Sequence, residues 1–168
     1  MKKSIALLLL LAFTLPGCEK DDICDPSTAT TPRLIIDFYS KSNPTELKNV
    51  TNLALVAEGH EDEPIGFNGV SRITVPLQST ADITQYKFIL NYGAENTAIT
   101  NVDNLEFKYT RTDIFVSRAC GFKTLFIFGA NPYTLTDAEP ADGTWIQSVT
   151  LLQPLILNED DAHLKITF

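Results

Sequence analysis

From Arg33 onward, apolar residues recur at every second position, and a chain patterned that way buries them by laying down strands. Leu105, Phe107 and Tyr109 alternate with Glu106, Lys108 and Thr110, so one face of that segment is apolar and the other sets opposite charges side by side. Leu34, Ile36 and Phe38 alternate with Ile35, Asp37 and Tyr39, and Ile73, Val75 and Leu77 with Arg72, Thr74 and Pro76. Tyr86, Phe88 and Leu90 face one way against Gln85, Lys87 and Ile89. Further strand runs occupy 114–117, 122–128, 145–152 and 163–168, the last with Leu164, Ile166 and Phe168 against a polar face of His163, Lys165 and Thr167. Segment 47–57 has both helical and alternating spacing; Thr51-Asn52 is poor helix interior, so it too is read as a strand.

Turn formers separate these runs: Asn43-Pro44, 59–69, 93–104, Asn131-Pro132, 137–143 and 158–161. About eight or nine short strands with polar turns predict an all-β fold, an antiparallel β-sandwich of immunoglobulin-like or transthyretin-like kind. Ten Phe and five Tyr against a single Met agree with strands. A membrane barrel needs strands of about 9 to 11 residues, longer than most of these runs.

The first residues follow a different rule. Lys2 and Lys3 precede an apolar stretch, 5–15, of about ten residues, half of what spans a bilayer. That is an export signal, ending at Leu15-Pro16-Gly17-Cys18, and the ending resembles the lipobox of bacterial lipoproteins. The resemblance implies that residues 1–17 are removed and that Cys18 becomes the acylated first residue. Residues 18–32, rich in Asp, Ser, Thr and Pro, then form a lipidated tether to one domain over 33–168. Formal charge is −8, and without Lys2 and Lys3 eleven basic residues face twenty-one acidic ones. Nucleic acid is therefore a poor partner, and membrane attachment falls to lipid rather than to a basic patch.

With Cys18 assigned to lipid, Cys24 and Cys120 are the cysteines left to pair in an oxidising compartment. Such a bridge closes a loop that the chain-entropy treatment values at about 4.7 kcal/mol. The alternative is two buried free thiols, although Cys24 sits in a polar stretch ill suited to a core.

Four segments together, Thr31 to Tyr39, Ile73 to Leu77, Val116 to Phe122 and His163 to Phe168, resemble an uncharacterised family of small Bacteroidota lipoproteins. In that resemblance Cys18 is the lipid site and Cys24 and Cys120 a cysteine pair, with no activity to carry over. Glu19, Lys20, Asp21 and Asp22 also resemble the Lys-plus-acidic export signal that sends lipoproteins of that phylum to the outer face of the outer membrane. A plain acidic tether, with the protein on the periplasmic side, is the other reading.

Chemistry is thinly signalled. His60-Glu61-Asp62-Glu63 sets an imidazole beside carboxylates, but adjacent loop residues diverge rather than converge on a metal. The acidic loops Asn158 to Asp161 and Asp137 to Glu139 offer oxygen ligands for calcium without the EF-hand register. There is no G-x-S-x-G elbow and no spare Cys, and His163 reads as a solvent-facing strand residue. The expectation is a non-enzymatic envelope protein without cofactor, metal site or catalytic residues, which binds an unknown protein or glycan or serves in an assembly. For a glycan, Trp145, Tyr92 and Tyr133 at strand ends or in loops are the candidate platform, against a Trp145 that merely fills core volume.

Overall fold

The computed structural model describes residues 23–168. Cys18 and the Glu19 to Asp22 run lie outside the described residues, as does the export signal. Ten strands follow in order: β1 Leu34–Tyr39, β2 Leu53–Ala57, β3 Ile65–Phe67, β4 Arg72–Val75, β5 Ile83–Leu90, β6 Asn101–Ser117, β7 Gly121–Asp137, β8 Ser148–Leu151, β9 Leu155–Ile156 and β10 Leu164–Thr167. They form a four-stranded sheet, β4-β1-β10-β8, and a six-stranded sheet, β3-β2-β5-β6-β7-β9. Among the described residues no helix is long and apolar enough to cross a membrane.

Two compact units separate: described residues 23–28 with Phe115–Phe122, and Ala29–Ile114 with Lys123–Phe168. The larger is the expected β-sandwich. Its core takes Leu34, Ile36, Phe38, Ile73, Val75, Leu164 and Ile166 from the smaller sheet. Leu53, Leu55, Tyr86, Phe88, Leu105, Phe107, Tyr109, Phe126 and Phe128 come from the larger. These are the alternating sets of the sequence, because a period of two places every second side chain on one face. Phe38 stacks near Trp145 with centroids 6.4 Å apart, and Phe168 meets both edge-on at 5.9 and 5.5 Å.

The pairing is antiparallel for β1–β4, β8–β10, β2–β3, β2–β5, β5–β6 and β7–β9. Between β1 and β10 it is parallel, with Ile36 opposite Leu164 and Phe38 opposite Ile166. That departs from a purely antiparallel sandwich. The two strands fill the middle of the sheet, and both of their faces are covered: Ile35, Asp37, His163 and Thr167 are buried alongside the core-facing set.

His163 is therefore not solvent-facing, as its polar phase suggests, but 2% exposed. Its Nδ1 accepts the Ile35 N–H at 3.0 Å while the His163 backbone N–H donates to the Ile35 carbonyl at 2.9 Å. The ring takes the place of a backbone carbonyl at the start of the parallel ladder. Asp37, opposite Arg72 across β1–β4, accepts Nε and Nη2 at 2.6 and 2.8 Å, so its burial is matched by a bidentate partner.

Segment 47–57 is a strand only from Leu53; Leu47 and Val50 make isolated bridges to Tyr39 and Val70. Asn52, with φ of 48°, turns the chain out of extended geometry between the halves. Asn131-Pro132 lies inside β7 rather than in a turn. The inward phase of the buried Thr124, Phe126, Phe128 and Pro132 gives way to the partly buried Tyr133, Leu135 and Asp137 directly after the proline, a one-residue slip of the kind that accommodates a proline in a strand. The short β3 lies within the turn segment 59–69 and β9 between predicted runs, since two or three residues carry no period.

Removing the Phe88 ring, wholly buried between the sheets, should lower unfolding free energy by about 3–5 kcal/mol in Phe88→Ala. Leu47→Ala, at a half-exposed side chain, should stay within about 0.5 kcal/mol of the parent. Urea titration followed by the single Trp145, which donates Nε1 to the Phe88 carbonyl at 3.0 Å, reads both.

Candidate functional site

The larger unit opens a groove on the outward face of the six-stranded sheet. It has a volume of about 410 Å³ and is lined by Glu58, Glu61, Gln85, Lys87, Asn104 and Glu106 among others. These are the polar partners of the alternating runs: where Tyr86 and Leu105 turn inward, Gln85, Lys87, Asn104 and Glu106 must turn outward. Glu106 accepts from Lys108 Nζ at 2.9 Å and from Gln85 Nε2, and those hydrogen bonds hold its carboxyl below the usual range. Glu61 is held low by backbone N–H donors, its own and that of Gly59, with Lys87 adding attraction. Both are ionised acceptors at neutral pH. Neither is a proton donor, so these two carboxylates suit hydrogen-bonding or cationic ligands better than general acid chemistry.

A second polar constellation sits at one end of the sandwich core, beneath the loop that joins β7 to β8. Asp103, wholly buried, accepts the Ile146 N–H at 2.8 Å through Oδ2. Asp137 Oδ2 accepts the Gly143 N–H at 2.7 Å, and Asn101 Nδ2 donates to Asp142 Oδ1 and the Gly143 carbonyl at 2.9 and 2.7 Å. The remaining Oδ1 atoms of Asn101, Asp103 and Asp137 have no donor among the described residues. Burial, with the charges of Asp137 and Asp142, pushes the Asp103 carboxyl up to about 6. Asn101 and Asp103 continue inward the phase of Leu105, Phe107 and Tyr109, so extending that alternation two steps back would have found them.

Of the residues singled out from sequence, Cys24 and Cys120 are joined in a disulfide with Cα atoms 4.9 Å apart. His60 is exposed, with Nδ1 3.9 Å from Glu63 in a solvated turn. Glu159 grips Arg33 through both carboxylate oxygens at 2.8 and 2.6 Å, and Asp160 N–H turns back to Asn158 Oδ1. Among the described residues no three His, Cys, Asp or Glu side chains form a set able to hold a metal ion. Trp145 fills the core, and Tyr133 packs against it with its hydroxyl on the Val149 carbonyl. Only Tyr92 of the three aromatics keeps an exposed ring.

Residues 52–168 match a family of unknown function, DUF6452. The chain belongs to this family. No curated protein and no solved structure matches the chain. The DUF6452 match opens at Asn52, just before β2, and takes in the groove, the buried Asp103 and Cys120, but neither β1 nor Cys24.

Asp103 and His163 bias the fold in opposite directions with pH. A carboxyl raised to about 6 holds its proton more tightly folded than unfolded, so its contribution is full below about 3.8 and is lost as pH rises through 6. At neutral pH that loss is on the order of 3 kcal/mol. Burial lowers the His163 imidazole, so its contribution is present above 6.5 and is lost as pH falls through the depressed folded value. Asp103→Asn keeps an acceptor for Ile146 and removes the charge. It should raise stability at neutral pH and leave a variant that only weakens on acidification, as denaturant midpoints across the pH range will read.

Proposed function

We propose that the protein is a lipid-anchored, non-enzymatic component of the bacterial cell envelope that works by binding or as part of an assembly. The observation that carries this reading is the Cys24–Cys120 disulfide. Structural disulfides persist in oxidising compartments, which supports taking the Lys2-Lys3 and apolar run as an export signal rather than as part of the fold. With those two cysteines bonded to each other, the remaining thiol, Cys18, stands where the lipobox resemblance puts an acylated residue. The Glu19 to Asp22 run after it supports an outer-membrane address with surface display in a Bacteroidota lipoprotein. Binding is favoured over catalysis by a groove whose Glu61 and Glu106 are held ionised by their neighbours.

Cys18→Ser should release the chain from membranes or leave an uncleaved precursor, read by fractionation and by mass spectrometry of the mature N-terminus. Cleavage elsewhere with no acyl group rejects the anchor. Alanine at Lys20, Asp21 and Asp22 should leave total lipoprotein unchanged and abolish its labelling on intact cells; equal labelling of mutant and parent reduces the run to a solvating tether.

A further inference from the structure

The smaller unit concentrates apolar surface that its own packing does not use. Phe115 and Phe122 flank the turn between β6 and β7 and are 56% and 68% exposed, and Ile23 beside Cys24 is 76% exposed. The two rings meet edge-on with centroids 5.3 Å apart, so they present one aromatic knob rather than two scattered side chains. Gly121, at φ of 70°, takes the left-handed conformation that lets a three-residue turn, Arg118-Ala119-Cys120, reverse the chain between them. The Cys24–Cys120 bond then ties the incoming segment to that turn.

Resting on the lipid-anchored reading, we propose that this turn is a membrane-contacting wedge, with Phe115, Phe122 and Ile23 seated in the interface of the bilayer that holds the Cys18 lipid. Chain length supplies the argument. Five residues lie between Cys18 and Cys24, a reach of at most about 20 Å when fully extended, and the disulfide leaves no slack on the far side. An anchored chain thus keeps Ile23 and the turn close to the headgroups. Apolar side chains such as Phe and Ile bury at the boundary between headgroups and acyl chains, and Arg118, exposed at the turn, provides a cation for lipid phosphate.

The test uses the full chain isolated from cell membranes, with Phe122→Trp or, should that variant misfold, Phe115→Trp. It is reconstituted into vesicles of phosphatidylethanolamine and phosphatidylglycerol with or without brominated acyl chains. The added tryptophan should lose most of its emission to brominated lipid, while Trp145 in the parent, buried in the sandwich, keeps its own. A mature N-terminal mass is recorded on the same sample. Acylated Cys18 with an unquenched tryptophan overturns the wedge and leaves the anchor standing, pointing the aromatic knob to a protein partner. Quenching without acylation supports the wedge and removes the anchor, and absence of both rejects the two together.

Discussion

The parallel pairing of β1 with β10 is the seam on which the smaller sheet depends. β4 is hydrogen-bonded within that sheet only to β1, and β8 only to β10. Without the seam the sheet becomes two isolated ribbons, each marginal in water, and the six-stranded sheet loses the surface against which Phe88, Phe107 and Phe126 are buried. Parallel neighbours cannot be joined by a tight turn. Here the connection is almost the whole domain: Ile35 and His163, bonded to each other, are 128 residues apart. Closing so long a loop costs chain entropy that the contacts made across the seam must offset.

That dependence explains why polar groups are buried at the seam. A central parallel pair covered on both faces leaves its first N–H without a ladder partner, and an unpaired buried donor costs about 1–3 kcal/mol. His163 supplies the acceptor. Asp37, one step along the same outer face, is held by Arg72 from the neighbouring strand, so the carboxylate buried beside Ile35 on the covered side of β1 has its partner. Asp103 shows the opposite case. It satisfies the Ile146 N–H, yet burial leaves its second oxygen undonated and lifts its proton affinity, a strain on the ionised core at neutral pH.

The sandwich was legible because period two is a property of every half-buried strand, and Leu105, Phe107 and Tyr109 or Tyr86 and Phe88 point inward as their phase requires. What was not legible needed a neighbour. His163 reads as outward by phase, and only the covering of the sheet's outer face buries it. The Asn131-Pro132 pair has turn chemistry, yet the partner strands carry the chain straight through it. Parallel rather than antiparallel pairing of β1 leaves no local mark at all. In the candidate site, the cysteine pair followed from counting, whereas the groove required knowing that β5 and β6 are adjacent with Gln85 opposite Glu106.

The seam also bears on where this family's domain begins. Residues 52–168 hold nine of the ten strands, but a chain starting at Asn52 has no β1. β10 would keep only β8, β4 would have no partner, and Leu34, Ile36 and Phe38, all wholly buried, would leave a trough in the core. Cavities of that size are not absorbed by relaxation of the surrounding side chains. The physical domain therefore starts no later than Leu34, and the Thr31 hydroxyl, which accepts the Thr124 N–H at 2.9 Å, extends it a few residues further toward the tether. Sequence matching follows what a family shares along the chain, while the folding unit follows which surfaces must close. The difference here is one strand, and it is the strand that closes the smaller sheet.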